Sequence, residues 1–213
     1  MEKVNKNRYL VVEGVDGSGK STQAELLVKN LQALGVKTIL TREPGSPLIG
    51  LKIRDLLIDK NIKINQRTRE LLFEADRAEH TTKIKELLDQ GYWVVSDRSF
   101  LSGLAYSVAS GVDLKAIWKL MEFAICVYPS IIFYVNLDPD ISKQRRDSRG
   151  TTETYEEAKG TAFMRKVNKN MKFILEKEMI PSYAVELDGK KSIKELEEEI
   201  FITTSKVLGV QHG

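Results

Sequence analysis

The stretch Gly14-Val-Asp-Gly-Ser-Gly-Lys-Ser21 constrains this chain more than any other, because it meets every fixed position of G-x-x-x-x-G-K-[ST]. It follows the apolar run Tyr9-Leu-Val-Val12 and precedes a segment, Ser21 to Leu34, whose apolar residues Ala24, Leu27, Val28 and Leu31 recur at helical spacing before Gly35. A buried parallel strand, a tight turn and a helix N-terminus are therefore expected in that order. Glycines allow successive backbone N–H groups to converge on phosphate oxygens, and the helix start adds the positive end of its dipole. Lys20 can supply a point charge to the outer phosphates, and the Ser21 hydroxyl suits a Mg²⁺ ligand. The expected ATP cradle is Gly14, Val15, Asp16, Gly17, Ser18, Gly19, Lys20, Ser21 and Thr22.

Strand and helix patterns then alternate. Val36 to Leu40, Tyr92 to Val95, Ile131 to Val135 and Ala184 to Leu187 read as strands. Residues 49–58, 68–88 and 114–127 read as helices, and Ser192 with Glu195 three residues on forms a capping box for a closing helix. The alternation implies an α/β fold, a doubly wound parallel sheet of the P-loop type with helices on both faces. No internal repeat or linker divides the chain, so one domain over residues 1–213 is expected, with a small lid near 145–160.

Composition narrows the partners. The 33 basic and 30 acidic residues leave a net charge of only +3, too little for the clustered basic excess of a nucleic-acid binder. No apolar run approaches the roughly 18 residues of a membrane span, and the charged N-terminus does not read as a signal peptide. A cytoplasmic protein without membrane or nucleic-acid partners is expected. Cys126 is the single cysteine, in the apolar run Phe123–Val127, and reads as a buried small hydrophobe. With that cysteine and two separated histidines, a zinc site is not expected. His80 reads as a packing or capping residue.

A P-loop serves GTPases, ATPases and kinases alike. Asn5-Lys-Asn-Arg8 and Asn168-Lys-Asn-Met171 both lack the aspartate of the guanine-reading N-K-x-D segment. A kinase requires a second anion site, and Arg54, Arg77 and Arg98 are candidates for it. Arg98 and its neighbour Asp97 lie just past the third strand, where ligands bind in such sheets, and an acid at that place commonly orients water on the nucleotide's Mg²⁺.

Four segments, in order and spacing, resemble the signatures of the thymidylate kinases, which are P-loop nucleoside monophosphate kinases. They are Glu13 to Thr22, Thr41-Arg-Glu-Pro-Gly45, Leu71-Leu-Phe-Glu-Ala-Asp-Arg-Ala-Glu-His80 and Asp97-Arg-Ser-Phe-Leu-Ser-Gly-Leu-Ala-Tyr106. The resemblance implies transfer of the ATP γ-phosphoryl group to dTMP with Mg²⁺ as the metal. It also implies that Phe73 stacks on thymine, Arg77 hydrogen-bonds the base, and Arg54 and Arg98 hold the dTMP phosphate. Asp16 would help place the acceptor, Tyr106 would lie beneath the deoxyribose, and Ser102 and Gly103 would flank the base edge. The family divides by whether a catalytic arginine sits in the P-loop or in the lid. Gly17 and Arg149 put this chain with the lid-arginine type, whereas Arg145 and Arg146 read equally as a solvated helix face. Lys20, Arg98, Asp16 and Arg149 are thus the expected catalytic set, with Ser21 and Asp97 on the metal.

The chain departs from the family's habit at Ser46, Ser99 and Ser107, all in or beside the acceptor pocket. A wider acceptor range that includes dUMP, or an ATP-dependent binding module with weak transfer, are the alternative readings. Homodimerisation is usual in the family, and the apolar face of Leu114–Val127 suits either that or core packing.

Overall fold

The computed structural model describes residues 7–45, 49–59, 61–148, 157–177 and 179–209. Five strands form one sheet in the order β2-β3-β1-β4-β5, namely β1 (Tyr9–Glu13), β2 (Thr38–Arg42), β3 (Trp93–Asp97), β4 (Ile131–Asn136) and β5 (Tyr183–Asp188). Every pairing is parallel, as the alternation of elements predicts. Such pairing requires each connection to cross back over the sheet, and the helices provide those crossovers.

Side chains alternate across a strand, and the two faces of β1 show the consequence. Tyr9 and Val11 belong to one apolar cluster with Ile84, Leu104, Met121 and Met171; Leu10 and Val12 belong to another with Leu27, Leu31, Leu196 and Ile200. The second cluster is covered by α1 (Lys20–Ala33) and α8 (Ile193–Leu208). The first lies beneath α3 (Gln66–Asp89), α4 (Phe100–Ala109), α5 (Leu114–Ala124) and α7 (Thr161–Glu176). Two further helices, α2 (Ile49–Ile58) and α6 (Pro139–Asp147), flank the carboxyl end of the sheet.

The expected strands and helices appear within a few residues of their read positions, and the Ser192/Glu195 capping box is formed. Three helices, α4, α6 and α7, were not anticipated as elements. α4 buries Phe100, Leu101, Ser102, Leu104, Ala105 and Ser107, an almost unbroken run because α5 and α7 pack beside it. α7 hides Met164, Val167, Met171 and Ile174 among charges. The reading of Cys126 is corrected: α5 ends at Ala124, the chain turns extended, and Cys126 is exposed with Sγ 3.4 Å from Thr82 Oγ1. No helix among the described residues is long and apolar enough to cross a membrane.

Candidate active site

At the carboxyl end of β1 the chain turns through Gly14–Gly19 into α1. Gly19, in a left-handed conformation, is the N-cap of α1 and no side chain caps the helix, so its first N–H groups are left to the loop. Val15 is buried in the core and its carbonyl accepts the Ser18 N–H, closing the turn. Thr22 follows as a half-buried residue of α1. Lys20 Nζ donates to Asp16 Oδ1 at 2.9 Å, and Arg98 Nη2 donates to the same oxygen at 2.5 Å. Burial alone would raise the Asp16 carboxyl; the Arg98 and Lys20 cations outweigh it and hold that group far below the usual carboxylate range.

Arg98 is aimed by a strained backbone. It carries φ 78°, uncommon for a residue with a side chain. Its N–H donates to Val12 O at 3.1 Å, and its carbonyl accepts the Ser96 hydroxyl at 2.7 Å. The guanidinium also donates from Nη1 to Gly14 O and to Ser102 Oγ, at 3.1 and 2.8 Å. Burial opposes its charge, but Asp16 raises its pKa well above the ordinary value.

Two oxygens meet beside it. Ser21 Oγ donates to Asp97 Oδ2 at 2.6 Å, so the two oxygens stand together at the start of α1 and the end of β3. Asp97 Oδ1 and Ser18 Oγ are buried and lack a hydrogen-bond partner among the described residues. A hydroxyl beside a carboxylate with an unengaged oxygen fits Mg²⁺, a hard cation that takes oxygen donors and keeps waters.

One pocket opens from this cradle. Asp16, Arg54, Phe73, Arg77, Arg98, Ser102, Gly103 and Tyr106 all line it, so every acceptor residue anticipated from sequence is brought together. At one end Arg54 Nη1 donates to Pro44 O at 2.7 Å, and Arg54 has its pKa lowered by burial and then by Arg42 and Arg98. Crowded cations of this kind are relieved by an anion. At the other end Arg77 is gripped between Glu43 (Nε to Oε2, 3.1 Å) and Glu74, and burial opposed by Glu74 and Glu43 leaves its pKa raised. Its Nη2 would lie 2.5 Å from a Cβ on Gly103, so the bare glycine is what lets the guanidinium approach α4. Tyr106 stands beneath Arg98, whose Cζ is 5.6 Å from the ring centroid.

His80 fulfils the packing expectation: it is buried, with Nδ1 2.9 Å from Glu43 Oε1 and Nε2 2.7 Å from Thr41 Oγ1. Two of the departures acquire partners. Ser107 donates to Glu70, which also accepts from Gln66. Ser99 caps α4 and donates to Glu13 at 2.9 Å. Ser46 and Arg149 lie outside the described residues. The solvated-face reading of Arg145 and Arg146 is overturned, since Arg145 Nη1 donates to Gly189 O at 2.9 Å and Arg146 Nη1 to Asp16 O at 2.7 Å.

Sequence reasoning missed the carboxylates behind the arginines. Glu43 and Glu74 were visible only as neighbours, although Glu74 at three residues before Arg77 is a helical pairing distance. Glu13 is wholly buried and accepts from Ser99 N, Ser99 Oγ, Ser102 N and Ser102 Oγ, at 2.7, 2.9, 3.1 and 2.6 Å. Burial raises its pKa even against Arg98 and these donors. Ser102 in turn receives Arg98, so Glu13 ties the end of β1 to the start of α4 and to the arginine between them. Glu13→Ala would strand those donors and is expected to lower the unfolding free energy by about 2–4 kcal/mol, read from urea denaturation.

The sequence model of the thymidylate kinases ("Thymidylate kinase") matches residues 12–200. The chain belongs to the thymidylate kinase family. A thymidylate kinase of Thermosipho africanus (strain TCF52B) is 35% identical over 195 residues, covering 90% of this chain and 94% of that protein. A probable thymidylate kinase of Thermococcus kodakarensis (strain ATCC BAA-918 / JCM 12380 / KOD1) is also 35% identical, over 209 residues, with 94% and 98% covered. The match to the family's model spans the P-loop and the residues that line the pocket, so the four segments of likeness lie within it.

Proposed function

We propose that this chain phosphorylates dTMP to dTDP with MgATP. The observation that carries the reading is the junction at Asp16 and Arg98: Asp16 of the P-loop lines a pocket walled by Phe73 and Arg77, and Arg98 of that pocket donates to it. A nucleotide held in the P-loop thus presents its terminal phosphate to whatever anion Arg54 and Arg98 hold.

Phe73 offers a π-face to a flat base, and Arg77, fixed by its two carboxylates, donates to an acceptor on the base edge. Tyr106 closes the sugar side, and Ser102 and Gly103 lie beside the base edge. The acceptor phosphate is ionised at neutral pH, its second pKa being about 6, so attack needs no strong base. An acceptor oxygen forms the new bond to the γ-phosphorus, the bond from that phosphorus to the β,γ-bridging oxygen breaks, and its electron pair leaves with ADP. Mg²⁺ would be held by Ser21 and, through water, by Asp97; bound there it neutralises phosphate charge. Lys20 and Arg98 position and neutralise the rest, with Arg149 the further cation that the family likeness suggests.

A cytoplasmic homodimer completes the reading. α5 buries Ile117, Met121 and Ala124 in the core, while Phe123 on its other side is 91% exposed and available to a second copy. Sedimentation of wild type against Phe123→Ala checks this.

A coupled assay of ADP release tests the reaction with dTMP, dUMP, dCMP, AMP and thymidine as acceptors. Turnover strongest with dTMP is expected, and thymidine should be inert because it cannot engage Arg54 and Arg98. ATP binding without acceptor-stimulated ADP release would overturn the proposal.

A further inference from the structure

Arg77 is not the last polar group along the pocket wall. Gln66, Glu70, Phe73 and Arg77 recur on α3 at the spacing of a single helical face, and all four line the pocket. α4 faces them running in the opposite sense. Arg77 packs on Gly103, and Glu70 accepts from the Ser107 hydroxyl. The two helices thus meet at two polar contacts, one cationic and one anionic, with Phe73 between them on α3. About 10 Å of helix axis separates Glu70 from Arg77, a gap that two long side chains and a single ring can fill.

The two charges are held differently. Arg77 sits between the Glu43 and Glu74 carboxylates. Glu70 is only 7% exposed, yet the side-chain hydrogen bonds it accepts among the described residues come from neutral groups. The Gln66 amide donates to Oε1 and the Ser107 hydroxyl to Oε2. Neutral donors offset the burial of a charge less than a cation would. Each carboxylate oxygen also keeps a lone pair open, so the site has room for one more donor, supplied from the pocket.

We propose that Glu70 determines which base the pocket accepts. Its carboxylate takes the ring N3–H of the pyrimidine while Arg77 donates to the neighbouring O4, and Ser107 and Gln66 are positioning residues that hold it. The inference rests on the acceptor reading above and adds a selection by base edge. Thymine and uracil carry an acceptor at O4 beside a donor at N3, and so meet a guanidinium and a carboxylate in matching order. Cytosine carries an amine at C4 beside a lone pair at N3. That edge sets donor against donor and acceptor against acceptor, and buried groups left unpaired are what rejects the wrong ligand. The C5 substituent plays no part in this contact.

The test compares wild type, Glu70→Gln and Ser107→Ala in steady-state kinetics with dTMP, dUMP and dCMP, with urea midpoints to follow folding. Glutamine matches glutamate in shape and offers a donor as well as an acceptor, so it can meet the cytosine N3 that a carboxylate repels. Glu70→Gln is expected to lower kcat/KM for dTMP and dUMP together by about 10-fold, the scale of one charged hydrogen bond. The loss should fall chiefly on KM, because the base is remote from the reacting phosphorus. Activity on dCMP should hold or rise, so the dTMP-to-dCMP ratio of kcat/KM contracts by about 10-fold or more. Ser107→Ala should move that ratio the same way by a smaller factor. A folded Glu70→Gln enzyme that keeps the wild-type ratio would overturn the inference. So would an equal loss on all three monophosphates, which marks a packing role. Wild type that prefers dUMP to dTMP would remove the thymine reading alone, and the dUMP-to-dCMP ratio then decides on Glu70. Wild type that prefers dCMP would overturn both.

Discussion

Replacing Lys20 by alanine is expected to lower kcat about 10³-fold while the protein stays folded. Lys20 opens α1, is only 6% exposed, and directs Nζ to Asp16 at 2.9 Å. α1 is held by Ala24, Leu27, Val28 and Leu31 in the core, none of which touches the ammonium's task, so the helix has no reason to leave. On the proposed reading, what goes is the point charge that meets negative charge shifting from the γ-phosphoryl group onto the departing ADP oxygen. One preorganised donor in such a site is worth about 10²–10³ in rate, and a full charge lies at or above that range. At roughly 1.4 kcal/mol per decade, a 10³-fold loss is about 4 kcal/mol of transition-state stabilisation. KM for ATP should rise far less, because the loop amides and the α1 N-terminus still bind phosphate. The measurement pairs ADP-release kinetics with circular dichroism and a urea midpoint. Near-normal turnover in a folded Lys20→Ala protein would remove the P-loop assignment itself.

The architecture was legible where periodicity and punctuation agree. Strand β1, the glycine turn and helix α1 stand as read, because each carries its own local signal. Helix α4 was not legible in that way: its run Phe100–Ala109 is apolar on nearly every side, and apolar runs of that length give no period. Its surroundings, α5 and α7, decide it, and they are remote in sequence. α7 is the reverse case. Met164, Val167, Met171 and Ile174 fall on one helical face, a signal that was present but masked by the surrounding charge. Within the site the arginines were visible as the residue type that binds phosphate, whereas their keepers were not. Nothing local distinguishes Glu13, buried beneath two serines from residues 99 and 102, from an acid at a solvated strand end. The same holds for Arg146, whose partner Asp16 lies 130 residues away.

Arg98→Ala carries the other large expectation, a fall of about 10³-fold or more in kcat/KM for dTMP. On the proposed reading Arg98 faces both substrates, since it lines the pocket and donates to Asp16 and Gly14 O of the P-loop. Its loss removes a bidentate phosphate fork and a transition-state charge together, and Arg98→Lys should recover little because an ammonium cannot span two oxygens. The substitution also has a signature in stability. Burial raises the Asp16 carboxyl and Arg98, then Lys20, more than reverse this, so the folded pKa lies below the unfolded value of about 3.9. A depressed acid contributes stability that is fully present above its unfolded pKa and is lost as pH falls through the folded one. Without Arg98 the depression shrinks. Between about pH 8 and about pH 3 the stability difference between wild type and Arg98→Ala should therefore shrink as pH falls through the pKa values that Glu13 and Asp16 take in the folded variant, because the unfolded chain is common to both. Urea titrations across that range measure it. A difference that stays level across that range would mean that the Arg98 charge is not coupled to the titration of Glu13 or Asp16 there, and would remove this electrostatic account of the pair.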